Sequence, residues 1–359
     1  MVNAPTGESP AVLNIAQIYD PAAGTFERSN PMTAYRDRHG AVILPDGRMM
    51  IVGGVDTELV PLVSFSGPAM PWILSSTEIL DLRNGHFSAA ASMIAPRDEP
   101  TATLLRNGKV LVVGGGVSGA ELYDPKNNTF AATGTMAESR YGQTATLLEN
   151  GKVLICGGGP RRAELYDPIT GRFTPTGNMR QNRMYHTATL LPDGHILVAG
   201  GSPYARSSAL DSTEIYDPSK GTFRTGPKMK EGRASHTATL LKDGRVLIAG
   251  GHEDNSAELY DPAAQRFVAT LHMSVSRFGH SATLLPDGTV LIAGGWSPTY
   301  KALASAEIYD PAGRKFKAIG NMTQACAGHI AELLEVPQAA RWIRPTPTPA
   351  SSTTPTPIR

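Results

Sequence analysis

Residues 235–277 read SHTATLLKDGRVLIAGGHEDNSAELYDPAAQRFVATLHMSVSR. Within this stretch the segments TATLL, VLIAGG and AELYD are short, apolar and rich in β-branched residues, and the turn sequences KDG and DPAAQ separate them. Such a pattern is typical of strands joined by hairpin turns. A helical period of 3.6 residues is absent, so the unit is predicted to be a four-stranded antiparallel sheet.

The same unit recurs along the whole chain. Its Tyr-Asp-Pro element, or a degenerate form of it, returns at spacings of 43 to 61 residues. The aspartates of these elements are Asp20, Asp81, Asp124, Asp167, Asp217, Asp261 and Asp310. Blades of a β-propeller repeat roughly every 40 to 50 residues, so this period indicates a propeller.

A Met-x-x-x-Arg element precedes the first strand of each copy and allows the blades to be counted. It occurs at Met32/Arg36, Met93/Arg97, Met136/Arg140, Met179/Arg183, Met229/Arg233 and Met273/Arg277, and as Met322/Cys326. The chain has seven of these elements, which we call junctions, but only six Gly-Gly hairpins. We therefore predict that one blade is assembled from both chain ends, with its inner strands in 329–343 and its outer strands in 14–26. The expected fold is an all-β, seven-bladed β-propeller of four-stranded antiparallel blades over residues 1–344, closed without free sheet edges.

Six copies also carry a glutamate in the third strand to accompany the junction arginine. These pairs are Arg36 with Glu78, Arg97 with Glu121, Arg140 with Glu164, Arg183 with Glu214, Arg233 with Glu258, and Arg277 with Glu307. The copy built from both termini has Cys326 and Gln17 instead, so both charges are absent from the same blade. We therefore predict structural ion pairs within blades, since a buried charge that loses its partner costs roughly 3 to 5 kcal/mol.

The composition excludes several classes of protein. A formal net charge of +1 gives no general electrostatic reason to expect a nucleic-acid partner, and no apolar run approaches the length of a spanning helix, so no membrane insertion is expected. The opening MVNAPTGESP lacks the regions of a signal peptide, and two cysteines make no disulfide framework.

Residues 345–359 are rich in Pro, Thr and Ser and are predicted to form an extended linker. We expect part of a larger multidomain protein that is extracellular or at the cell surface, with the cytoplasm as the alternative.

The motifs YDPxxGxF, LLPDGxVLIAGG and MxxxRxxH resemble those of kelch-repeat β-propellers, specifically the central domain of galactose oxidase and its bacterial relatives. The resemblance implies a copper site in which Tyr185 would be the axial oxygen donor and His186 a nitrogen donor. The family's cross-linked tyrosine would align with Gly142, one position from Tyr141, and the cysteine to which that tyrosine is linked would align with Glu99. Histidines also occupy the place of His186 in four other copies, at His39, His236, His280 and His329, which favours a structural role.

A ligand is expected at one mouth of the ring, where loops entering the first strands meet loops that follow the Gly-Gly pairs. The candidate ligand-binding residues are Tyr141, Arg161, Arg162, Tyr185, His186, Tyr204, Arg206, His252, Phe278, Trp296 and Tyr300. Aromatic faces beside Arg and His can stack on sugars and hold carboxylates, and they also form protein-binding hot spots. Equally, Trp296 or Trp72 can simply cover the blade beneath it, and Arg161 and Arg162 can be solvated surface charge.

Three functions follow from these features. The first is a noncatalytic propeller that binds a carbohydrate or a protein at the channel mouth and needs no cofactor. The second is an enzyme, either a copper-radical oxidase relative acting on carbohydrates or alcohols or another propeller enzyme acting on an acidic sugar. The third is a structural assembly module of a surface protein. Fold alone does not decide among them.

Overall fold

The computed structural model describes residues 14–56, 72–204, 207–331 and 333. These residues form an all-β propeller of six four-stranded antiparallel blades and one two-stranded sheet. The two-stranded sheet pairs β1 (Ile15–Asp20) with β2 (Thr25–Pro31). Within the described ranges no helix is long and apolar enough to cross a membrane.

Strand order follows chain order within every blade. Blade 1 contains β3 (Gly40–Ile43), β4 (Met49–Val52), β5 (Thr77–Asp81) and β6 (His86–Ala89). Blade 2 contains β7 (Pro100–Leu104), β8 (Val110–Gly114), β9 (Gly119–Asp124) and β10 (Thr129–Thr135). Blade 3 contains β11 (Gln143–Leu147), β12 (Val153–Gly157), β13 (Arg162–Asp167) and β14 (Arg172–Asn178).

The second half of the ring repeats this arrangement. Blade 4 contains β15 (Thr187–Leu190), β16 (Ile196–Ala199), β17 (Thr213–Asp217) and β18 (Thr222–Thr225). Blade 5 contains β19 (Thr237–Leu240), β20 (Val246–Ala249), β21 (Ser256–Asp261) and β22 (Arg266–His272). Blade 6 contains β23 (Ser281–Leu284), β24 (Val290–Ala293), β25 (Ala306–Asp310) and β26 (Lys315–Ala318). The first strands of consecutive blades are neighbours, so they surround the central channel.

The core lies between blades. Met50 and Val52 of blade 1 pack in one buried cluster with Val112 and Tyr123 of blade 2. The Tyr123 ring also lies 5.0 Å from that of Phe130 in its own blade, and Tyr-Phe pairs recur in blades 3 to 6. Burying one large apolar side chain stabilises the fold by roughly 1.5 to 3 kcal/mol, so the repeated aromatic residues serve blade stacking.

The six Arg-Glu pairs form within blades at N–O distances of 2.7 to 3.1 Å, with both side chains buried. In blade 4 the Arg183 guanidinium also donates to the Gly200 carbonyl at 2.7 Å, and the Glu214 carboxylate accepts the Arg180 backbone N–H at 2.8 Å. These additional bonds satisfy both buried ions, which is the condition under which a buried pair is tolerated.

The N-terminal sheet lies between blade 6 and blade 1. Gln17 takes the place of the third-strand glutamate, because its Oε1 accepts the Thr323 backbone N–H at 2.7 Å and its Nε2 donates to the Gln324 carbonyl at 3.1 Å. On the other side, the Asn30 side-chain amide donates to the Gly85 carbonyl of blade 1 at 3.0 Å. The predicted inner strands at 329–343 fall largely outside the described residues, as does the predicted linker at 345–359.

Candidate functional site

One backbone position at the channel mouth has the left-handed conformation in every junction. We call these seven residues the junction ring: Arg38, Glu99, Gly142, Tyr185, Ser235, Gly279 and Gly328, with φ between 52° and 66°. The Tyr185 N–H donates to the Gly142 carbonyl at 2.9 Å, and most neighbouring members are joined in the same way. Glycine adopts this conformation freely, whereas a side chain costs of order 1 to 3 kcal/mol. Four junctions therefore carry a strained side chain at the mouth.

The first and seventh junctions lie side by side. A Cβ added to Gly328 would stand 2.7 Å from Oδ1 of Asp37, which directly precedes the first member of the ring. The Gly328 N–H also donates to the Gly279 carbonyl at 2.9 Å. The junction at Gly328 thus bridges the sixth junction and the first.

Next to the junction ring, four histidines tie consecutive inner strands together. His186 Nε2 shares a hydrogen bond with Thr144 Oγ1 at 3.0 Å, and His236, His280 and His329 make the same bond to Thr187, Thr237 and Ser281 at 2.9 Å. Burial lowers the pKa of His186 and of His236 to about 3. These imidazoles are therefore neutral at ordinary pH and serve the contact between blades.

The mouth contains a cavity of about 500 Å³. Its walls include the junction-ring side chains Arg38, Glu99, Tyr185 and Ser235, and the aromatic residues Phe278 and Trp296. The backbones of Phe278 and Trp296 pair, which fixes the aromatic wall relative to blade 6. The volume lies within the range of sites that hold small molecules.

Carboxylates give this cavity its charge. Arg38 Nη1 lies 3.2 Å from Oδ2 of Asp98 and 4.0 Å from Oε1 of Glu99. Burial raises the pKa of Asp37, Asp98 and Glu99, and the nearby Arg38 guanidinium opposes the rise. Burial, followed by the negative charge of Glu99, raises the pKa of Tyr185 to about 12. The phenol therefore stays protonated and can donate a hydrogen bond.

Of the candidate residues from the sequence, Tyr185, His186, Phe278 and Trp296 line this cavity. Tyr300 borders its aromatic wall, with its ring edge-on to Phe278 at 5.6 Å. The remaining candidates are outside its lining: Tyr141, Arg161, Arg162, Tyr204 and His252, while Arg206 lies outside the described residues. The Arg161 guanidinium donates weakly to the Arg180 carbonyl at 3.4 Å, and His252 faces Asp254.

Asp37, Arg38 and Glu99 line the cavity but were not among the candidate residues. A signal for two of them exists in the sequence, because Arg38 and Glu99 stand two positions after a junction arginine, as Tyr185 does. Aligning the copies on that arginine marks the junction ring directly. Only the structure shows that this position is left-handed and faces the cavity.

The residues present do not fit a copper site. Nε2 of His186 is engaged by Thr144, Gly142 has no side chain, and Tyr185 approaches the carboxylate of Glu99. In the described part of the chain no group of three or more His, Cys, Asp or Glu side chains is arranged to hold a metal ion. We derive no chemistry through copper from this donor set.

Comparisons with known proteins agree with the fold. Residues 183–230 match the model of the Kelch motif. A fungal alcohol oxidase of the AA5 family, solved in complex with copper, has 21% identity and a TM-score of 0.64, over 79% of this chain and 63% of that one. The protein YjhT has 14% identity and a TM-score of 0.60, over 79% of this chain and 97% of that one. No curated protein sequence gives a significant match. The chain thus has a β-propeller fold with one segment that matches the Kelch motif, and it spans less than two thirds of the oxidase it resembles.

Proposed function

We propose that this kelch-motif propeller is a noncatalytic binding module that holds a carbohydrate in the cavity at its channel mouth. The observation that carries the proposal is the junction ring, in which four strained side chains of different chemistry are directed to one cavity. Strained backbone of this kind clusters at active sites and ligand-binding sites, where it helps to preorganise the site.

The chemistry of the walls supports a sugar. Glu99 and Asp37 supply acceptors for hydroxyl groups, Tyr185 supplies a donor, and Phe278 and Trp296 supply apolar faces on which a sugar ring can stack. A few polar groups converging on an apolar wall are typical of small-molecule sites. A protein ligand remains the alternative, and its contacts would extend beyond the cavity to the exposed Tyr300.

An oxidase is supported by likeness of fold alone. The fungal alcohol oxidase is under 25% identical, and its copper is a property of that protein. Because the donor set here does not fit copper, an oxidase function would need residues beyond those of the described mouth.

Calorimetric titration with a panel of neutral and charged oligosaccharides tests the proposal. Tyr185→Ala and Glu99→Ala should each weaken binding by about tenfold or more, as expected when one anchor of a small site is removed. Tyr204→Ala is the matched control, because Tyr204 is 66% exposed and lies outside the cavity lining. Equal loss in the control, or substrate-dependent peroxide production after copper loading, would contradict the proposal.

We also infer that β1 and β2 are the outer half of a seventh blade that closes the ring. Gln17 bonds Thr323 as the glutamates bond the equivalent junctions, and Gly328 lies beside Asp37. The double variant Gln17→Glu/Cys326→Arg restores the pair found in the other blades. It should unfold at a temperature no lower than the unmutated protein, whereas Cys326→Arg alone leaves a buried cation and should unfold at a markedly lower temperature.

We further propose that the protein works outside the cell or at its surface as one part of a larger protein. The Pro-Thr-Ser composition of residues 345–359 supports this location. Immunodetection of the protein in intact and permeabilised cells tests it, and a signal seen only after permeabilisation would favour the cytoplasmic alternative.

A further inference from the structure

We infer that the preferred ligand is an amino sugar, with a protonated amine on a hydroxylated ring, and that acidic sugars are rejected. This inference rests on the proposed function, since it names the class of carbohydrate that the same cavity would take. It replaces the acidic sugar that the arginines in the sequence suggested. Three independent properties of the cavity lead to it.

The first property is an excess of unpaired acceptors. Two lining residues carry such acceptors: Oε2 of Glu99 and Oε1 of Gln143 are buried without a hydrogen-bond partner in the described part of the chain. Gln143 is only 6% exposed, and it lines the cavity together with Glu99. A buried acceptor without a donor costs about 1 to 3 kcal/mol. A ligand rich in N–H and O–H donors would remove this cost, and a carboxylate ligand would add to it.

The second property is the charge of the cavity. In the described lining, Asp37 and Glu99 accompany one cationic residue, Arg38, and the Arg38 guanidinium already lies 3.2 Å from the Asp98 carboxylate and 4.0 Å from that of Glu99. The histidines of the lining add no compensating charge, because burial lowers the pKa of His186 and of its neighbours far below neutrality. An entering ammonium group is attracted by the surplus carboxylates, and an entering carboxylate is repelled.

The third property is the aromatic part of the lining. Trp296 and Phe278 line the cavity, and Tyr300 extends this wall toward solvent. Aromatic faces hold the apolar face of a sugar ring and also attract cations. A purely aliphatic polyamine would use the charges alone, whereas an amino sugar uses the charges, the unpaired acceptors and the aromatic wall together.

The test is calorimetric titration of the full chain with three tetrasaccharides of equal length: the glucosamine tetramer, its N-acetylated form and the glucose tetramer. The glucosamine tetramer should bind about tenfold more tightly than either neutral form, which corresponds to one well-placed charged contact. A uronic acid tetramer should bind more weakly than both. Spermidine is the probe for charge without a sugar ring, and binding as tight as that of the glucosamine tetramer would overturn the amino-sugar inference.

Variants separate this inference from the proposed function. Glu99→Gln should weaken binding of the glucosamine tetramer more than binding of the neutral tetramers, so that the preference for the amine is lost. Glu138→Gln makes the same charge change at an exposed residue outside the cavity and should retain the preference. If neutral tetramers bind but the amine confers no advantage, the inference is wrong and the proposed function stands. If no saccharide binds to a protein that melts cooperatively, the proposed function itself fails.

Discussion

Acidification should destabilise this propeller through its inner histidines. In the folded protein burial lowers the pKa of His186 and His236 to about 3, and burial also lowers that of His39 and His329 to about 4. An unfolded histidine titrates near 6.5. Between these values only the unfolded chain takes up the proton, so the stability is complete above pH 6.5 and decreases as the pH falls toward the folded pKa.

The size of the effect follows from these values. On going from pH 7.5 to pH 5.0, each such histidine removes about 2 kcal/mol from the free energy of unfolding. These four histidines together remove about 8 kcal/mol, which is comparable with the whole stability of a typical domain. His280, whose pKa burial also lowers, acts in the same direction. The raised pKa values of Asp37, Asp98 and Glu99 act in the opposite direction, because the folded protein then binds more protons than the unfolded chain near pH 5.

A single variant isolates the histidine contribution from that offset. His186→Gln places at this position the residue that blade 3 already carries as Gln143, so the backbone is compatible with it. Urea unfolding followed by circular dichroism at pH 7.5 and pH 5.0 should show that this variant loses about 2 kcal/mol less on acidification than the unmutated protein. His272→Gln, which removes an exposed histidine, is the control. Equal pH dependence in the His186 variant and the unmutated protein would refute the reasoning.

Further predictions concern packing and the mouth. Glu214→Gln leaves a buried guanidinium without its counterion and should lower the free energy of unfolding by roughly 3 to 5 kcal/mol in urea titrations. Gln17→Glu should lower the free energy of unfolding by much less, and equal losses in the two variants would contradict pairing within blades. Gly142→Ala should cost about 1 kcal/mol, because φ is +60° and the new Cβ meets the Tyr185 ring at 3.0 Å. The same variant should weaken saccharide binding in calorimetry, and unchanged affinity would show that Tyr185 is not an anchor. Tyr185→Phe removes the donor but keeps the ring, so its affinity should fall between those of the unmutated protein and Tyr185→Ala.

The repeat made much of the fold predictable. The strand and turn pattern of the recurring unit predicted four-stranded blades, and these form in all six complete copies. The joint loss of charge at Cys326 and Gln17 predicted pairing within blades, and Arg183 contacts Glu214 as that reasoning requires. Interpreting His186 as a repeat residue agrees with its hydrogen bond to Thr144. Regular repeats fix such contacts because each copy must satisfy the same buried groups.

The site was less predictable, for two physical reasons. Loop residues such as Tyr204 and Arg161 are predicted at the mouth because they follow Gly-Gly pairs, but the sequence of a loop does not fix its direction relative to the channel axis. The family motif identifies Glu99 only as the counterpart of a cross-linking cysteine, whereas its proposed role as an acceptor depends on a neighbour from another blade, Arg38. Contacts between residues that are distant in the chain depend on how the blades are arranged around the ring, and no local sequence pattern specifies that arrangement.

A crystal structure of the protein soaked with the glucosamine tetramer tests the central claim most directly. The account predicts a sugar ring in the mouth cavity, stacked on Trp296, with its amine within hydrogen-bond distance of the Glu99 carboxylate. A sugar bound instead on the outer surface near Arg161 and Arg162, or a mouth left empty at saturating ligand, would contradict it.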